Sequence, residues 1–555
     1  MSAREARKVK QGTIWLSLLG LAAALTLFQV ITADFWPFNH EIDSFFNRTL
    51  VYAEHIRQWD FFPLWSVADN GGLGSPQPVL YHKLFYYLSG SMLLVTGGLK
   101  ASVLISVWVF LVIGGVGAYS LFRAVDCTRF TSRAGAVVFL VSNYTVTNWL
   151  VRGAMAEFSA AMLVPATLAV YLRFLDADSR TWRLSFSFGV LVSLVFLAHS
   201  VLAFYTGLLV AFVTAFLVCT KAVRVDRGFL RSAIISLAGF AVIVLPVLIL
   251  MSVMGARYSM ESILPDNYLP VNNFWPLMNY VWDARWQWGE TWEGYTVQLD
   301  LVVLVLLAVA LIGVLAQRVL ARPAPRETGR DFFALKILPL SLIAVLSLVL
   351  QSTGSAVFYK NFPGAGYIQF PWRLLAIITP VLIALALALL DRARGPKSIV
   401  VAFVVLNILA SGFWKPIRYD EMEPVDGLGG LQFSAFGEYV PVAAREGRWT
   451  SSSISEHVNA SGCDFNVVRP DPNEILSTRY LLRCDTDAVV PLPHYDSGQH
   501  TVSVHDRRSG ERISWSRCAA SSDFPGLCAL RVTAGDYRVD LHHPTVGRLI
   551  KAGRL

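Results

Sequence analysis

The sequence predicts a polytopic α-helical membrane protein of about 11 transmembrane helices with a C-terminal extracytoplasmic β-rich domain. Three observations predict it. The 555 residues are 54% hydrophobic and only 15% charged, against about 25% charged in an ordinary soluble domain. The apolar residues gather in runs near the roughly 20 residues that cross a bilayer core. The tail 415–555 has no such run and carries four of the six cysteines. This composition excludes a soluble enzyme, a disordered chain and a coiled coil. The net charge of +8 does not call for nucleic acid, because Lys and Arg collect in the cytoplasmic loops of membrane proteins.

In chain order the runs are 13–32, 101–122, 134–150, 157–175, 184–199, 201–219, 232–254, 299–317, 333–351, 373–390 and 398–414. The stretch 184–219 is twice the length of a helix, and it folds at the polar pair His199-Ser200. With the N-terminus inside, the cytoplasmic segments hold Arg4, Arg7, Lys8 and Lys10, then Arg123, Arg129 and Arg133, and similar clusters onward to Arg392, Arg394 and Lys397. The outer connections hold scattered cations such as Arg48, Lys83, Arg152 and Lys360. This positive-inside pattern requires that the apolar stretch 79–97 not cross. Its start, Tyr81-His82-Lys83 with Tyr86-Tyr87, suits a helix lying at the outer interface. The first run follows a basic start as in a signal peptide, but it is long and no small-residue cleavage site follows it. A retained first helix is expected.

The division expected is a transmembrane domain, 1–414, with outer loops 33–100 and 255–298, followed by the tail domain 415–555. In the tail, 501–505, 512–515, 529–533 and 537–542 alternate enough to be strands between Gly, Ser and Asp turns. Cys463, Cys484, Cys518 and Cys528 fit disulfides in an oxidising compartment. Three pairings exist, of which 463–484 with 518–528 is the local one. Zinc is the competing reading, but no pair has CxxC spacing. Cys127 and Cys219 are read as structural.

Loop 33–100 holds His40-Glu41-Ile42-Asp43-Ser44-Phe45-Phe46-Asn47-Arg48, then Trp59-Asp60, Pro63-Leu64-Trp65, and Gly71-Gly72-Leu73-Gly74-Ser75-Pro76 before the Tyr-rich helix. Further on stand Arg152-Gly153-Ala154-Met155-Ala156-Glu157-Phe158, Ala198-His199-Ser200, and Ile368-Gln369-Phe370-Pro371-Trp372-Arg373. In this order and sidedness the motifs resemble the GT-C glycosyltransferase superfamily. More closely, they resemble its bacterial YfhO-like, or "6-pyruvoyl-tetrahydropterin synthase related", membrane proteins. One departure is Asn47, where that family often has His.

The resemblance implies transfer of a sugar from a polyprenyl-phosphate donor to a glycan, lipid or protein acceptor, outside the cytoplasm of a bacterial inner membrane. Such chemistry needs a base for the acceptor hydroxyl, cations for the departing phosphate and an apolar groove for the lipid. Asp43, just outside the first span, is the expected base, with Asp34 and Glu41 as fallbacks. Arg373 is the expected phosphate ligand, since Arg binds phosphate bidentately; the plainer reading is a Trp372-Arg373 interfacial anchor. Arg152 and Glu157 form either a local ion pair or part of the site lining. Arg48, Gln369, Trp372 and His199 complete the expected binding set, with a structural role the alternative for His199.

Loop 255–298 is rich in rings (Tyr268, Trp275, Tyr280, Trp282, Trp286, Trp288, Trp292, Tyr295) among Asp266, Asp283, Glu290 and Glu293. This suits sugar stacking or an aromatic belt. Asp176-Ala177-Asp178 lies at a cytoplasmic helix end and is set aside. Gly71-Gly72-Leu73-Gly74 is not in a βαβ unit. No tightly bound metal or cofactor is expected. A transporter or flippase of a lipid-linked glycan and a non-catalytic GT-C-like scaffold are the alternatives.

Overall fold

Each of the eleven apolar runs forms helix. The computed structural model describes residues 3–33, 36–37, 39, 41–258, 269–281, 297–320, 333–410, 440–444, 449–468, 475–518 and 522–554. Among them, six helices are long and apolar enough to cross a membrane: Leu99–Ala124, Met155–Leu175, Ser200–Cys219, Arg227–Gly255, Phe333–Leu350 and Pro371–Arg392. A seventh is the pair Arg129–Val141 and Asn143–Val151, bent by 43° at Ser142. The other four runs are shorter apolar helices, Gln11–Thr26, Trp182–Ala198, Leu301–Ala316 and Lys397–Ala410. By length and composition, then, about eleven expected spans become six or seven plus four shorter ones. Polar breaks account for part of the difference. Trp182–Ala198, for instance, ends where His199 turns the chain in extended geometry. The stretch 79–97 contains the helix Leu84–Thr96, whose 13 residues are too few to span a bilayer alone.

The chain is a multi-pass membrane protein that divides into two compact units. The first comprises Met1–Ile42, Leu104–Val244 and Asp266–Met422, and the second Asp43–Val103, Leu245–Pro265 and Glu423–Leu555. In the first unit, Met155–Leu175 and Pro371–Arg392 are almost wholly enclosed by other helices. Close helix packing there uses small residues, as expected where lipid offers no hydrophobic drive. A Cβ on Gly189 would lie 2.0 Å from the Ser236 carbonyl oxygen. The Ser236 hydroxyl donates to the Ser185 carbonyl at 2.8 Å, joining the same two helices.

The second unit carries seven strands: β1 Cys463–Val468, β2 Ser477–Cys484, β3 Ala488–Tyr495, β4 Thr501–Asp506, β5 Arg512–Arg517, β6 Leu527–Val532 and β7 Gly535–His542. They form an antiparallel sheet in the order β1-β2-β7-β4-β5 and a two-stranded sheet β3-β6. Directly opposed apolar residues set the register: Val504 faces Val539 and Leu482 faces Tyr537, all buried. The four expected strands are present with longer bounds. The three missed, β1 to β3, include one carrying Pro491 and Pro493. Such residues argue against a central strand, and β3 indeed pairs only with β6, with a register shift after Pro491. The disulfides are the local pair, Cys463–Cys484 and Cys518–Cys528. The core of this unit also takes Leu64, Trp65 and Leu73 from the loop 33–100, and Leu250 and Met254 from a helix end.

Candidate functional site

Two helix ends and one tight turn build a buried charged cluster in the first unit. After the bend at Ser142 the chain continues as Asn143–Val146 and a π-turn, Thr147–Val151, whose C-cap is Arg152. Gly153 then turns the chain with φ +66°, and Met155–Leu175 begins with Glu157 in its first turn. A cation thus sits at a helix C-terminus and an anion at a helix N-terminus, each the favoured sign for that end of the peptide dipole. Gly153 is required twice over. Its φ is left-handed, and a Cβ there would lie 2.2 Å from Asn39 Oδ1. Gly153→Ala is expected to destabilise the chain by about 1–3 kcal/mol, read as a lower melting temperature of the detergent-solubilised protein; an unchanged melt would show that the turn relaxes freely.

Glu157 is 1% exposed and Arg152 6%. Glu157 Oε1 accepts from Arg152 Nη1 at 2.9 Å and from the Tyr144 hydroxyl. Its Oε2 lies 3.1 Å from Arg373 Nε. Arg152 Nη1 also donates to Asn148 Oδ1 at 2.6 Å. Arg373 stands on the 3-10 turn Pro371–Leu374, donates from Nη2 to Gln369 Oε1 at 3.3 Å, and lies over the Phe370 ring. Four residues expected from the sequence, Arg152, Glu157, Gln369 and Arg373, therefore meet in one cluster. The Arg152–Glu157 pair is a local ion pair, and Arg373 joins it from far along the chain.

Trp372 is buried, stacked on Phe370 at 4.4 Å and edge-on to Trp275 at 6.1 Å. His199 is the N-cap of Ser200–Cys219: its Nδ1 accepts from the Leu202 amide at 3.2 Å. It therefore has the structural role, whatever else it does. Tyr205 and Tyr359 share a hydroxyl bond of 2.7 Å, and Tyr359 donates onward to the Leu350 carbonyl. Sequence reasoning missed Tyr144, Asn148, Tyr205 and Tyr359. The spacing Tyr144, Asn148, Arg152 repeats every four residues, the signal of one helix face, but it was hidden inside an apolar run.

Of the remaining expected residues, Glu41 lies in the first unit, its backbone N–H donating to Asn39 Oδ1 at 3.2 Å, and the others lie in the second unit or outside the described residues. Asp43 falls in the first turn of the helix Ile42–Arg57, and its side chain is outside the described residues, as are Asp34 and most of the aromatic loop (259–268 and 282–296). Arg48 is buried, donates to the Tyr86 hydroxyl at 3.2 Å, and lies 3.8 Å over the Tyr81 ring. Asn47, at the position that departs from the resembled family, donates to Asp69 Oδ1 at 3.1 Å. The Ser75 hydroxyl also donates to Asp69. Burial raises the Asp69 pKa above the usual carboxylate range, opposed by Ser75, Arg48, Ser66 and Asn47. One group was not foreseen at all. His494, His500 and His543 are buried with a ring nitrogen each within 4.8 Å of the others. They are scattered along the tail with no metal-binding spacing.

Neither a family model nor a curated relative matches the sequence. Among solved structures, the chain is similar to an oligosaccharyltransferase from Archaeoglobus fulgidus, with 14% identity and TM-score 0.41, over 72% of this chain and 55% of that one. The same archaeal enzyme, bound to an inhibitory peptide and a dolichol-phosphate, matches with 13% identity and TM-score 0.42, over 73% of this chain and 55% of that one. An arabinofuranosyltransferase mutant from Mycobacteria matches with 16% identity and TM-score 0.46, over 95% of this chain and 41% of that one. The chain thus spans about half the length of the archaeal enzyme or less of the mycobacterial one. These structural neighbours are GT-C-fold glycosyltransferases.

Proposed function

We propose that the chain is a membrane glycosyltransferase. It moves a sugar from a polyprenyl-phosphate donor to an envelope glycan, lipid or protein on the extracytoplasmic side of a bacterial inner membrane. One observation supports this reading most: two guanidinium groups, Arg152, which is buried, and Arg373, which is partly buried, share a single carboxylate, Glu157. Guanidinium forks match phosphate oxygens, so two of them side by side suit an anionic ligand. A lipid phosphate supplies that anion, and the arginines stabilise it as it departs. Glu157 accepts from Arg152 and Tyr144 and pairs in charge with Arg373, so its role is to orient the two arginines. The base is assigned to Asp43 on the resemblance of its motif, as the group that takes the acceptor hydroxyl proton.

Mass spectrometry of polyprenyl-linked lipids and envelope glycans tests this in wild type, a deletion, Asp43→Asn and Arg373→Gln at matched protein level. The expected result is one glycosylated lipid accumulating and one sugar decoration missing in all three mutant strains. A change in the deletion alone would make neither residue essential, and a transporter or scaffold would then be the better account.

A further inference from the structure

Three of the six histidines of the tail, His494, His500 and His543, lie outside the cluster used above. His494 is on β3, His500 immediately precedes β4, and His543 immediately follows β7. Their ring centroids are 4.7, 4.9 and 5.5 Å apart, and each residue is 1% exposed. The Trp65 ring meets His500 edge-on at 4.4 Å and His494 at 5.3 Å. Among the described residues, His494 Nε2, His500 Nε2 and His543 Nδ1 are buried without a hydrogen-bond partner. Buried polar atoms are normally satisfied, and three orphans in one place call for an explanation.

We propose that His494, His500 and His543 bind one divalent transition-metal ion, best matched by Zn2+, which fastens three segments of the tail. Imidazole nitrogen suits zinc, and three histidines with an exogenous fourth ligand are an established zinc set. Tetrahedral ligands at about 2.0–2.1 Å stand roughly 3.4 Å apart, so nitrogens within 4.8 Å need close by little more than an ångström. In two of the three the other nitrogen is already held, as in ligand histidines. His543 Nε2 is 2.9 Å from the Thr478 hydroxyl, and His500 Nδ1 is 3.1 Å from the Ser497 hydroxyl and 3.4 Å from the Ser497 amide, which donates to it. When the two hydroxyls accept instead, at the loss of that long amide contact, the orphan nitrogens carry the lone pairs a metal takes. Of the two arginines that act on His500, Arg257 is paired with Asp496 and Arg548 donates to the Leu476 and His543 carbonyls.

The test uses the full chain purified in detergent and stripped with a chelator. Wild type should take up about one Zn2+ per chain, gain several degrees in melting temperature, and show tetrahedral d–d absorption with Co2+ saturating at one equivalent. His500→Gln and His543→Gln should lose both the stoichiometric metal and the melting shift. Ser497→Ala should weaken binding by about tenfold or more while leaving the fold intact. If either histidine variant fails to fold, the wild-type titration and Ser497→Ala decide. The proposal is overturned if stripped wild type neither retains Zn2+ through gel filtration nor shifts its melt. It is equally overturned if folded histidine variants bind as wild type does.

Discussion

Glu157→Gln lowers the stability of the solubilised chain by about 3–5 kcal/mol, the scale for removing one partner from a buried ion pair. Glutamine keeps the shape and one acceptor oxygen but removes the charge that both arginines face. Arg152 retains Asn148 and Arg373 retains Gln369, but the carboxylate charge standing between the two guanidinium groups is gone. Glu157→Asp keeps the charge but is one methylene shorter, so it should reach one arginine and not both. Its melt should fall between the other two. Sugar transfer should drop by about 100-fold in Glu157→Gln, as expected when a preorganised electrostatic partner is lost. Combining Glu157→Gln with Arg152→Gln should recover part of the stability, because the singles share one interaction and will not add. A Glu157→Gln chain that melts and turns over like wild type would remove the cluster from both fold and function.

Cys463→Ser with Cys484→Ser costs about 3 kcal/mol, from the entropy of closing a loop of that length in the unfolded chain. The two residues are direct partners across β1 and β2, with Cα atoms 4.1 Å apart, so the bond staples an existing register. Cys518–Cys528 closes a separation of 10 against 21; halving the loop reduces the gain by only about 0.6 kcal/mol. Melting curves of the two double-serine variants should therefore differ little from each other and clearly from wild type. Thiol labelling in intact cells adds a second reading. Disulfides persist in oxidising compartments, so all four tail cysteines should resist alkylation until reduced. Free thiols in cells would place the tail in the cytoplasm and reverse the topology.

Periodicity and composition carried most of the architecture. Every apolar run is helical among the described residues, the break at His199 is where a polar pair interrupts twice a helix length, and the four expected strands are present, although β5 is exposed throughout and β6 is buried at all but one position. These features are local, because a helix or strand writes its buried face into neighbouring residues at fixed spacing. Strand β3 was illegible for the same reason: Pro491 and Pro493 break the local rule, and only the pairing with β6 accommodates them.

For the candidate site, the sequence by itself determined which residues carry charge beside apolar runs. Arg152, Glu157, Gln369 and Arg373 were all singled out on that ground or by resemblance. Only the tertiary structure decided that Arg373 reaches the same carboxylate as Arg152, that Tyr144 joins them, and that three histidines scattered along the tail face one another. The physical reason is range. Spacing rules record neighbours within a helical turn or a strand repeat, whereas an ion cluster or a ligand set is fixed by how distant segments pack. Packing is set by the shapes of whole faces, which short motifs do not encode.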